Sequence, residues 1–232
     1  MMKTIGLIGG MSWESTLEYY RIINETVKEK LGGFHSAQVV MYSVDFADVE
    51  SMQHKGEWER AAQFLIRAGL RVKRGGADFA LLCTNTMHKV FAEVQAGIKI
   101  PMIHIADVTA RSIRDKGLTK IGLLGTRFTM EDDFYKGRLI REHGLEVLIP
   151  GEEDRQAIHR ILYNELCMGE IKKGSQGIFH RIIASLEARG AEGIILGCTE
   201  IPLLVEQKDY RLPLIDTTAL HAKAAVDLAL QD

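Results

Sequence analysis

The chain nearly repeats itself. "GADFALLCTNTMH" spans 76–88 and "GAEGIILGCTE" spans 190–200; each runs Gly-Ala-acid, then an apolar stretch, then Cys-Thr. "TIGLIGG" from Thr4 matches "KIGLLGT" from Lys120 at an offset of 116. Gly76 and Gly190 stand 114 apart, and Cys83 and Cys198 stand 115 apart. "IKIPMIHIADVTA" at 98–110 is echoed by "YRLPLIDTTAL" at 210–220, both with Pro opening a short strand before a helix. Landmarks in one order at nearly constant spacing describe a duplicated unit.

Each copy alternates short apolar runs with longer segments of helical period, the pattern of a parallel α/β fold. Strands are expected at 4–8, 37–44, 78–82, 100–105 and 120–126. Ser12 or Ser15 is the expected N-cap of a first helix, a loop and a helix over 57–76 follow the second strand, and another helix covers 86–96. The duplication predicts two α/β halves: 1–107 completed by a C-terminal helix over 216–232, and 108–215. In open parallel sheets ligands bind beyond the carboxyl ends of the strands. Cys83 and Cys198 both stand at that end of equivalent strands, so a duplicated fold would bring two thiols to one cleft.

Composition narrows the partners. The chain has 232 residues with a formal net charge of -2 and no basic run, which argues against nucleic acid and membrane surfaces. No apolar stretch approaches the roughly 18 to 20 residues of a spanning helix. The N-terminal apolar run is short and broken by Gly, and reads as a strand entering a loop, not as a signal peptide. With only Cys83, Cys167 and Cys198, and no CxxC, a disulfide framework is not expected and a reducing cytoplasm is. Metal-ligand spacing is missing too, and the glycines of "GLIGGMS" lack the GxGxxG spacing of a dinucleotide site.

A Cys at a strand end just ahead of a helix sits near the positive end of that helix, which favours the thiolate. Two such thiols on opposite sides of a pocket suit proton transfer: one removes a proton from carbon while the other delivers one to the opposite face. Glu200 follows Cys198 closely, and a nearby carboxylate disfavours ionisation. Cys198 is therefore expected to rest mainly as the thiol and Cys83 mainly as the thiolate. Cys167, in "ILYNELCMGE", reads as a small packed hydrophobe, and His88, His104 and His221 as caps or packed ring donors.

"GLIGGMSWEST", "LLCTNTMH" and "ILGCTEIPLL" together resemble the aspartate/glutamate racemase family of cofactor-independent amino-acid racemases, over essentially the whole chain. The resemblance implies two pseudo-symmetric flavodoxin-like halves, a homodimer acting on a small amino acid, and no pyridoxal phosphate or metal. It implies Cys83 and Cys198 as the two bases, and Met11, Ser12, Thr84, Asn85, Thr86 and Thr199 as the lining that holds the substrate α-carboxylate. Thr126 and Gln53 join the candidate binding set, and Glu200 is either a helix-turn carboxylate or an orienting group for Cys198. One departure matters. Family members selective for acidic side chains carry an Arg and a Lys where this chain has Val49 and Cys167; neither can hold a distal carboxylate, so a broader specificity is expected. Related chemistries on the same fold (hydantoin racemisation, cis–trans isomerisation of maleate type, decarboxylation) stay open at this stage, as does a non-catalytic two-lobed ligand-binding protein.

Overall fold

The computed structural model describes residues 2–231. The outermost residues of the expected first half, Met1 and Asp232, lie outside the described residues. The chain divides into two compact units: one takes the chain up to His104 and resumes at Thr218, the other runs Ile105–Thr217.

The first unit is built on β1 (Ile5–Gly9), α1 (Trp13–Leu31), β2 (Val39–Ser43), α2 (Phe46–Lys55), α3 (Trp58–Arg74), β3 (Phe79–Leu82) and α4 (Phe91–Ile98). Its parallel sheet has the order β2-β1-β3. The uninterrupted apolar runs of β1 and β3 are buried along their whole length, as strands covered by helices on both faces must be. Ser12 is the N-cap of α1, accepting from the Ser15 amide at 3.4 Å. Between β1 and α1 the chain passes through Gly10 at φ 88°; a Cβ there would run into the backbone of Val44, so the turn needs glycine.

The second unit comprises α5 (Ile105–Asp115), β4 (Lys120–Gly125), α6 (Arg127–Glu131), α7 (Lys136–His143), β5 (Glu146–Leu148), α8 (Glu152–Asn164), α9 (Lys173–Ala188), β6 (Gly193–Gly197) and β7 (Leu214–Asp216). Its parallel sheet is ordered β5-β4-β6-β7. Its first three strands repeat the order of the first sheet, with β5 in the place of β2, β4 in that of β1 and β6 in that of β3, and β7 adds a fourth. The α/β class expected from the repeat is what the chain forms. The last helix, α10 (Thr217–Ala229), returns to the first unit, where Ala222, Ala225 and Val226 pack with Tyr19, Ile23 and Cys83.

Three local readings change. The strand expected at 100–105 is reduced to a single parallel bridge, Ala80 to Met102, and α5 already begins at Ile105. The helix expected over 86–96 divides into a 3₁₀ turn, Thr86–Val90, and α4. The expected loop after β2 contains α2, capped by Asp45, whose carboxylate accepts from the Ala47 amide at 3.0 Å. Among the described residues no helix is long and apolar enough to cross a membrane.

Candidate active site

Both candidate thiols stand one step past the end of the strand that pairs with the first strand of its unit, β3 with β1 and β6 with β4. In the first unit Ile8 pairs with Leu82, so Cys83 follows directly beside Gly9. Its amide continues the ladder by donating to the Ile8 carbonyl at 3.0 Å, and the Thr84 amide turns back to the Leu82 carbonyl at 2.9 Å. In the second unit Gly125 pairs with Gly197, which sets Thr126 beside Cys198. The two glycines let the strand ends close in: a Cβ on Gly197 would lie 2.6 Å from the Leu124 carbonyl oxygen.

The remaining residues singled out from the sequence gather at these same ends. Met11, Ser12, Thr84, Asn85 and Thr86 are buried where β1 and β3 run out. The Thr16 hydroxyl fixes the first of these turns, accepting from the Gly10 amide at 2.8 Å and donating to the Ser12 carbonyl at 2.8 Å. Gln53 comes from α2, buried, with its amide nitrogen donating to the Met87 sulfur at 3.0 Å. Val49, one turn earlier on α2, is also buried. In the second unit Thr126 caps α6, accepting from the Thr129 amide at 3.3 Å, and Thr199 and Glu200 follow Cys198.

Glu200 is more than a turn-capping acid. One of its carboxylate oxygens, Oε2, accepts from the Cys198 thiol at 2.8 Å and from the Thr199 hydroxyl at 2.9 Å. Buried as it is, this carboxylate gives the Cys198 proton a fixed acceptor. The Cys198 thiol is held well above its ordinary range, by burial first and by the Glu200 carboxylate second, with Cys167 adding to the effect. Burial alone pushes the Cys83 thiol up.

That last point runs against the expected resting thiolate at Cys83. The helical segment after Cys83 is a five-residue 3₁₀ turn, and the one after Cys198, Ile201–Leu203, is shorter still. So short a run of aligned peptides sums to little dipole. Against it stands desolvation in an apolar cluster with Leu7, Tyr19 and Leu81, which disfavours the charged form. For both thiols burial favours the protonated form.

Cys167 lies in the 3₁₀ turn Leu166–Met168, half-buried, and its electrostatic effect on the Cys198 thiol was not signalled by its packing-like sequence context. His88, His104 and His221 form a ring cluster in the first unit: His88 and His104 meet edge-on at 4.7 Å, and His88 and His221 at 5.8 Å. Among the described residues no group of three or more His, Cys, Asp or Glu is placed to hold a metal ion.

Comparison with known proteins agrees over the whole chain. The model of the family described as Asp/Glu/Hydantoin racemase matches residues 8–225. The broad specificity amino-acid racemase RacX of Bacillus subtilis is 24% identical, covering 97% of this chain and 98% of RacX. A solved structure from Yersinia pestis, provisionally described as an Asp/Glu racemase, is 55% identical with a TM-score of 0.92, over 99% of this chain and 100% of that one. An aspartate racemase homologue from Pyrococcus horikoshii OT3 is 38% identical with a TM-score of 0.85, again over 99% and 100%.

Proposed function

This chain belongs to the Asp/Glu/hydantoin racemase family of isomerases, and from that premise we propose that it racemises amino acids with two thiols, Cys83 and Cys198, and without a cofactor. The observation that carries the reading is the repeat itself: in two units of one strand order, a buried Cys-Thr pair follows the equivalent strand. A binding protein has no need of a thiol at both places.

The chemistry balances without redox change. One cysteine must first lose its proton to solvent. That thiolate takes the proton from Cα and becomes a thiol; the electron pair left on carbon is delocalised into the substrate carboxylate. The other thiol then gives its proton to the opposite face of Cα and becomes the thiolate. The reading requires one thiol on each face of Cα, and each thiol serves as base for one enantiomer and acid for the other. Hydroxyls and amides of the turns around Ser12, Thr84, Asn85, Thr86, Thr126 and Thr199 are the donors for the carboxylate, which gains negative charge as the proton leaves.

For substrate, we propose uncharged side chains of small to medium size. Val49 and Cys167 offer no cation for a distal carboxylate, and Gln53 offers one polar contact; the broad specificity of RacX supports the same range. We place the enzyme in the cytoplasm, where its three free thiols stay reduced, and we propose a homodimer on the strength of the family resemblance, with no nucleic-acid or membrane partner; light scattering reads the dimer directly. The function is tested by incubating a panel of single enantiomers in deuterated water. Deuterium entering Cα of both enantiomers, with loss of optical rotation and survival of the activity after dialysis against a chelator, is the expected result. Deuterium-free substrate with unchanged rotation across the panel sinks the proposal.

A further inference from the structure

The turn that carries Cys83 is tied from below by a side chain that takes no proton from substrate. His88 lies four residues after Thr84, and its Nδ1 stands 2.8 Å from the Thr84 carbonyl oxygen. A carbonyl only accepts, so Nδ1 carries the hydrogen and donates it. The imidazole is itself immobilised. It stacks on Phe91 with ring centroids at 5.3 Å and an interplanar angle of 11°. His104 meets it edge-on at 4.7 Å and His221 at 5.8 Å. His221 is fixed in turn: its Nε2 donates to the Ile103 carbonyl at 3.0 Å, which leaves Nδ1 to accept from the Tyr19 hydroxyl at 2.9 Å. The chain of contacts runs from α1 and α10 through a buried ring cluster to the peptide that follows Thr84.

We propose that His88 is a positioning residue for Cys83: by holding the Thr84 carbonyl from a packed ring cluster it fixes the turn, and with it the direction of the thiol. This rests on the reading of Cys83 as a base. Three peptide groups around Cys83 are then pinned, the Cys83 amide to β1, the Thr84 amide to Leu82 and the Thr84 carbonyl to His88. Only the last pin comes from a side chain, so a substitution reaches it. Orientation is where such a pin acts, since a misplacement of about 1 Å can cost roughly 10²-fold in rate.

The test compares His88→Phe, which keeps an aromatic ring over Phe91 and loses the donor, with His88→Asn, which loses the ring and keeps an N–H at the position of Nδ1. His88→Phe is expected to lower kcat by about 10-fold or more with KM within about threefold, and His88→Asn to recover most of that loss. In parallel, alkylation of Cys83 by iodoacetamide, read by peptide mass spectrometry, should speed up several-fold in His88→Phe and return towards the wild-type rate in His88→Asn. The labelling arm does not depend on racemisation: if the wild-type protein racemises nothing while labelling follows this pattern, the functional reading fails and the positioning role stands. Should His88→Phe fail to fold, His88→Gln replaces it, with its amide one bond too far to serve Thr84. Wild-type kcat and labelling in the donor-free variant overturn the proposal. So does equal impairment of His88→Asn and the donor-free variant, which would show that ring packing alone matters.

Discussion

The turn after β3 and the turn after β6 hold the same place in two copies of one strand order, yet they treat their thiols differently. Cys83 is sunk among apolar side chains contributed by α1, the sheet and α10, and burial alone raises it. Cys198 has a carboxylate at 2.8 Å that accepts its proton and raises it further. The first turn is braced by imidazoles, the second by Glu200. Duplication kept the address of the thiol and let its surroundings diverge, and a two-base racemase has use for that divergence. With its acceptor in place, Cys198 is the better-kept acid, and Cys83 is the thiol whose ionisation meets no neighbouring carboxylate.

The comparison breaks most directly at the sulfurs. Cys83→Ser and Cys198→Ser should each lower kcat/KM by about 10³-fold or more, because a serine hydroxyl is too weak an acid to share a proton near neutrality. Polarimetry on purified variants reads this. Full activity in either one ends the two-base account, and a large loss in only one makes the other thiol a bystander. Burial raises both thiols, so kcat/KM should climb with pH on the alkaline side of neutrality in both directions of the reaction.

Acid should weaken the Cys83 side first. His221 is fully buried and desolvation holds it down to about 4, against an ordinary value of 6.5. The unfolded chain therefore binds a proton in that window that the folded chain does not. Stability supplied by keeping His221 neutral is fully present above 6.5 and is lost as pH falls towards 4, a contribution on the order of 3 kcal/mol. Urea unfolding from pH 7 to 4 should show a shallower loss in His221→Gln, whose side chain takes up no proton in that range. Parallel slopes for the two proteins would remove the imidazole cluster from the explanation.

Glu200→Gln sharpens the contrast on the other side. Removing the carboxylate takes away one of the causes that hold Cys198 up. The alkaline limb of kcat/KM should move to lower pH for the enantiomer whose proton Cys198 removes, and stay for the other. Labelling of Cys198 by iodoacetamide should quicken several-fold while Cys83 is unmoved. A shift in both directions, or in neither, would mean that Glu200 does not distinguish the two thiols.

Much of this site was legible before the fold was known, and the reason is local. A strand-end Cys-Thr pair and its glycines lie within one short segment, and the repeat marks the segment twice. What decides the protonation of Cys83 is not local. Ala222 and Val226 reach it from the far end of the chain and Tyr19 from near its start, so the sequence around Cys83 points to a helix-favoured thiolate and the packing makes a desolvated thiol. The same distance hides the ring cluster, since His88, His104 and His221 meet only once α10 returns to the first unit. The pin from His88 to Thr84 is different. Its four-residue spacing is visible in "CTNTMH", and side-chain bonds to a carbonyl four residues back are a known local pattern.

The smallest expected effect concerns Cys167, which tests where the second site ends. It stands where acid-selective relatives carry a Lys, by the resemblance noted above, and it contributes to holding the Cys198 thiol up. It is half-buried in the 3₁₀ turn Leu166–Met168, away from the strand-end turn that carries Cys198. Cys167→Ser should then leave racemisation of neutral amino acids within about twofold and change stability by about 1 kcal/mol or less, as expected of a small polar replacement off the core. Cys167→Lys should act on selectivity instead: an ammonium at that place attracts a distal carboxylate, so relative kcat/KM for aspartate or glutamate over a neutral amino acid should rise. Val49, still uncharged and buried on α2, would keep the gain modest. A collapse of activity in Cys167→Ser comparable to that in Cys198→Ser would put a third thiol into the proton-transfer machinery, and the difference between the two turns would then have to be drawn as one thiol against two.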